Sequence, residues 1–81
     1  MKEYTTVEAA VTLVVKNLEA NHAVCDTKSI RNKIYNWYIH SDVTDPEVLA
    51  ACVLAGRDWS PAATYQEMLD AKEQYFPEYY I

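Results

Sequence analysis

Thr44-Asp45-Pro46-Glu47-Val48-Leu49-Ala50-Ala51-Cys52-Val53-Leu54-Ala55-Gly56 decides the fold. A capping oxygen, a proline at the first helical position and an acid beside it mark a helix start. From Val48 to Ala55 every residue is apolar. A helix without a polar face belongs inside, so this one is expected at the centre with the others around it. Gly56 ends it in the left-handed conformation that glycine adopts without steric cost. It is the only glycine in the chain. Tight β-turns would demand more, which argues against a strand-and-turn protein.

Working outward, three further start signals predict three more helices. Thr5-Thr6-Val7-Glu8 has the form of a capping box, with Thr5 as cap and Glu8 reaching back. The helix it opens is expected over 5–21, burying Val7, Val11, Val14 and Leu18 and turning Glu8, Thr12, Lys16 and Glu19 to water. Its four valines weaken helix propensity, so packing must hold it, and a strand over 12–16 is the competing reading. Asp26 is expected to cap a second helix over 27–40, the central helix covers 46–55, and Ser60-Pro61 is read as the start of a fourth over 61–76. In that fourth helix Tyr65, Met68, Leu69, Lys72 and Phe76 line one side, opposite Glu67, Asp70, Glu73 and Gln74. The connector 41–44 lacks glycine and must turn on Ser and Asp chemistry. The expected fold is therefore all-α: one compact four-helix domain over 1–81 with short connections, its ten-residue third helix too short for a long regular bundle.

Composition narrows function by exclusion. The net charge is −5, which disfavours nonspecific binding to nucleic acid or anionic membranes. The longest apolar run falls well short of the ~18 residues of a membrane span, and Met1–Thr6 carries no hydrophobic segment led by positive charge, so the cytosol is expected. Two cysteines make no disulfide framework; Cys52 reads as a core residue. With one glycine there is no phosphate-cradling loop. His22, Cys25, His40, Asp42 and Cys52 are too irregularly spaced for a zinc site. Cys25 near His22 lacks an orienting third group and faces opposition from Asp26. The row Glu67, Asp70, Glu73 reads as a solvated face. No catalytic residue, metal or cofactor is expected, and the chain is read as non-enzymatic.

The second helix carries the functional hint. Three of the seven basic residues, Lys28, Arg31 and Lys33, lie within it. At about 100° per residue Ile30, Ile34, Trp37 and Tyr38 share one stripe, while Lys28, Arg31, Asn32, Tyr35 and Ile39 share the other. A solvated face does not need Tyr35 and Ile39 among its charges. Either the helix is sandwiched and both side chains are core, or this face docks a partner. Arg and Tyr are common interface anchors, so a protein partner is expected at Lys28, Arg31, Asn32, Tyr35 and Ile39. The apolar tail with Tyr79 and Tyr80 is a second candidate contact, and a homo-oligomer is a further possibility. Trp37 is expected in the core, and Trp59 is expected to plug one end with its indole N–H on a carbonyl or water.

A nucleic-acid reading rests on residues 20–33. Ala20 stands at the small position between two helices, Ile30 packs back, and Arg31, Asn32 and Tyr35 face outward. The segment is similar to a helix-turn-helix unit, which implies a small DNA-binding regulator using helix 27–40. It departs from that pattern at Val24, where glycine is usual, and at Lys33, where an apolar residue is expected. The preferred reading is a protein-binding inhibitor, regulator or adaptor. By class analogy alone this includes accessory factors of phages or mobile elements that block a host protein.

Overall fold

The computed structural model describes residues 2–77, with side chains from Thr5 onward. Four helices occupy them: α1 (Lys2–Ala20), α2 (Thr27–Ser41), α3 (Pro46–Leu54) and α4 (Tyr65–Tyr75). The described residues contain no strand, so the all-α reading holds and the strand over 12–16 is excluded.

α3 sits at the centre and packs against each of the other three helices. Val48, Leu49, Ala50, Ala51 and Cys52 are all buried, as a helix apolar on every side requires. One core cluster joins them to Val7, Ala10, Val11 and Val14 of α1, to Ile30, Ile34 and Trp37 of α2, and to Met68 and Ala71 of α4. The two alanines let neighbouring backbones approach closely, which a short central helix needs.

Local chemistry fixes the ends of α3. The Asp45 carboxylate accepts from the Glu47 N–H at 2.9 Å, and Pro46 follows the cap. At the other end Gly56 has φ 73°, Gly56 N–H donates to the Val53 carbonyl and Arg57 N–H to the Cys52 carbonyl. These bonds close a Schellman motif. α1 ends the same way without glycine. His22 holds φ 57°, while His22 N–H reaches the Glu19 carbonyl and Ala23 N–H the Leu18 carbonyl.

Two predicted starts are corrected. α1 begins at Lys2, so Thr5 lies within the helix and does not cap it. α4 begins at Tyr65, capped by the Thr64 hydroxyl, which accepts from Glu67 N–H at 3.2 Å. Ser60-Pro61 forms a turn instead, closed by Ala63 N–H on the Ser60 carbonyl, with proline at its second position. Tyr65 consequently falls in the first turn and is exposed, unlike Met68, with which it was expected to share one side of the helix. Met68 and Ala71 are the buried residues of α4. Lys72 bridges back to Asp45 (3.5 Å) and Glu47 (3.8 Å), tying α4 to the start of α3.

The tryptophans exchange one expected role. Trp37 is buried, and its own indole N–H donates to the Arg57 carbonyl at 2.9 Å. Trp59 covers it edge-on, with ring centroids 5.8 Å apart, and stacks on His40 at 5.4 Å. The indole N–H that meets a carbonyl is thus that of Trp37.

Candidate functional site

α2 is held rigidly at both ends. The Asp26 carboxylate caps it by accepting from Ser29 N–H at 3.2 Å. At the far end Asp42 is left-handed (φ 59°), the Ser41 hydroxyl donates to the Trp37 carbonyl at 2.6 Å, and Val43 N–H donates to that hydroxyl at 3.3 Å. The glycine-free connector therefore turns on Asp and Ser as expected. Ile30, Ile34 and Trp37 face the core. That choice sends the opposite stripe outward.

Tyr35 is 45% exposed and Ile39 48% exposed. The sandwiched-helix reading is therefore set aside. Lys28 and Asn32 are exposed on the same line. Steps of four, three and four residues place Lys28, Asn32, Tyr35 and Ile39 in one row along the helix.

Arg31 belongs to the flank of this row. Its Nε donates to Glu8 Oε2 at 2.6 Å and its Nη2 to Glu8 Oε1 at 2.9 Å. This fork-to-carboxylate pair joins α2 to α1. The hydrogen bond from Arg31 holds the Glu8 carboxyl below its ordinary pKa, and Glu8 in turn raises that of Arg31. Glu8, expected to face water alone, thus removes one of the three cations from the basic patch. Lys28 and Lys33 make no ion pair among the described residues.

Sequence reasoning missed Tyr65, which is 59% exposed. An open depression of about 290 Å³ is lined by Tyr35, Tyr38, Ile39, Asp42 and Thr44. A neighbouring one of about 420 Å³ shares Asp42 and Thr44 and is bordered by Val43 and Tyr65. Three exposed large side chains, Tyr35, Ile39 and Tyr65, therefore ring the α2–α3 connector. On the other flank of Tyr35 a third depression reaches Lys33, Asp58 and Trp59. Tyr79 and Tyr80 lie outside the described residues.

Reactive groups are scattered elsewhere. Among the described residues no three His, Cys, Asp or Glu side chains gather to hold one metal ion. Burial pushes the Cys52 thiol up to about 11, against the opposing charge of Arg57. The Cys25 thiol lies 3.9 Å from the Ala23 carbonyl. Ala20, the small residue that a helix-turn-helix unit places between its helices, is exposed. No helix among the described residues is long and apolar enough to cross a membrane. No family model, curated protein or solved structure matches the chain.

Proposed function

We propose that this chain is a non-enzymatic protein-binding module, an inhibitor, regulator or adaptor, that works in the cytosol and docks its partner on the outer face of α2. The exposure of Tyr35 and Ile39 on a helix pinned at both ends is the observation that carries this reading. A rigid aromatic anchor loses little conformational entropy on docking, and a β-branched neighbour adds apolar area at similarly low cost. Asn32 and Lys28 supply a polar rim, and Tyr65 extends the apolar centre across the connector.

Capture of partner protein from the native host, read by mass spectrometry, tests the reading. Tyr35→Ala and Ile39→Ala reduce recovery of the captured protein, whereas Glu73→Ala on α4 leaves it unchanged. Equal recovery for all three would move the contact off α2. A mobility shift at low salt addresses the DNA-regulator alternative. A sequence-selective complex lost in Lys28→Ala would replace the protein-binding reading, because released counterions make such binding strongest there.

A further inference from the structure

We propose that His40 and Trp59 form a proton-sensitive latch, in which protonation of the His40 ring tightens the 57–59 strap over Trp37. The latch is independent of the docking reading of α2 and operates with or without a partner there.

The strap follows the left-handed Gly56, where Arg57 N–H donates to the Cys52 carbonyl. The Arg57 carbonyl accepts the indole N–H of buried Trp37 at 2.9 Å. Half-buried Trp59 then lies edge-on to Trp37, and the His40 ring covers its face at 5.4 Å with the two planes 11° apart. Asp58 and Trp59 form one wall of the depression of about 340 Å³ beside Tyr35, and α2 forms the other. The position of the strap therefore shapes the surface there.

Geometry also selects the nitrogen that titrates. His40 Nδ1 lies 2.9 Å from the Asn36 carbonyl, one turn back on α2. A carbonyl only accepts, so Nδ1 carries a hydrogen and Nε2 is left to take the proton. The His40 side chain is exposed, so water can deliver that proton. Protonation leaves the Asn36 bond and the ring's shape unchanged. It converts a neutral stack into a cation held against the negative face of an indole, the best aromatic partner for a cation. Histidine is the side chain that makes this change between pH 5 and 8. Only the charged ring gains the contact, so the latch is tight at the acid end of that window and relaxes as pH rises through it. The charged groups on the elements around the ring are Lys33, two turns back on α2, Asp42, just past its last turn, Asp58 on the strap, and Arg57, which pairs with Glu67 at 3.5 Å. These residue types ordinarily titrate outside the histidine window. The carbonyl end of α2 also attracts a cation, without touching the strap.

The Trp37 indole N–H reads the latch, because it exchanges with solvent when the Arg57 carbonyl lets go. Its exchange is followed by NMR on the full chain from about pH 5.5 to about pH 8, in wild type, His40→Phe, Trp59→Leu and His22→Gln. His40→Phe keeps a ring on Trp59 with no proton to gain. Dividing by its rate at each pH cancels the intrinsic pH dependence of exchange. Protection of wild type relative to His40→Phe rises about two- to fivefold from the alkaline to the acid end, the scale of an exposed cation–π contact. His22→Gln, changed before the start of α2, shows the same rise. Trp59→Leu keeps His40 at the carbonyl end of α2, and its relative protection stays flat. A wild-type ratio that does not change with pH would overturn the latch. An equal rise in Trp59→Leu would overturn it too, by giving the effect to the helix end alone. Loss of the rise in His22→Gln would move the titrating group away from Trp59 and reject His40.

Discussion

Arg31 and Glu8, on two different helices, are joined by a two-pronged ion pair with contacts of 2.6 and 2.9 Å. The most obvious cation of the α2 patch is thus a strut between α1 and α2. Exposed pairs contribute little singly, but a bidentate geometry is the more favourable case.

Acid sensitivity follows from that pair. Glu8 has a lower pKa folded than its ordinary 4.5, through the hydrogen bond from Arg31. The folded state therefore holds this proton less tightly than the unfolded chain. The pair's contribution is fully present above pH 4.5 and is lost as pH falls through the depressed folded value. Urea midpoints compared at pH 7 and pH 3 should fall less in Arg31→Ala than in wild type. An equal fall in both would show that the pair carries no linkage.

Trp37→Phe removes the donor to the Arg57 carbonyl while keeping an aromatic body under Trp59. The loss should be about 1–3 kcal/mol in denaturant unfolding, because a part-buried acceptor loses its partner. The remaining Trp59 fluorescence should report a looser 57–59 segment. Stability within ~0.5 kcal/mol of wild type would show that water replaces the indole freely.

Opposite substitutions at two left-handed residues should have opposite effects. An added Cβ at Gly56 meets nothing within 4 Å, so Gly56→Ala isolates the backbone cost, about 1–2 kcal/mol. His22 occupies the same kind of position with a full side chain. His22→Gly should raise stability by about 0.5–1 kcal/mol, read as an increase in thermal midpoint.

The two thiols should separate by reactivity. Cys52 is fully buried with its thiol pushed up to about 11 by desolvation, and Cys25 is only half-buried. A thiol-specific chromogenic reagent at pH 8 should modify one cysteine in the native protein and the second only after unfolding. Two fast native reactions would place Cys52 in a region that opens readily.

Much of the fold could be read from punctuation and periodicity. Asp26, Asp45-Pro46 and Gly56 bound their helices as anticipated, because each residue type satisfies a specific unpaired backbone group or φ angle. The same logic misled where two signals competed. Ser60-Pro61 suits a helix start and a turn equally, and the turn won. Thr64-Tyr65-Gln66-Glu67 carried the S/T-x-x-E pattern that marks the true start of α4. Thr5-Thr6-Val7-Glu8 has that pattern too, yet Glu8 turns to Arg31, 23 residues on. Local spacing cannot reveal a partner so distant in sequence.

The candidate site divides the same way. Helical periodicity alone put Tyr35 and Ile39 on the outer stripe of α2. It could not add Tyr65, whose place beside the connector depends on how α4 crosses α3. Nor could it subtract Arg31, which tertiary packing assigns to Glu8.

One measurement bears most directly on the docking face. The Tyr35→Ala, Ile39→Ala double variant keeps the Ile30, Ile34 and Trp37 core, so its circular dichroism and thermal midpoint should stay near wild type. Its capture of partner protein from host extract should fall by more than about tenfold, the scale of a truncated interface anchor. Undiminished capture by a folded double variant would contradict the assignment of α2 as the docking surface.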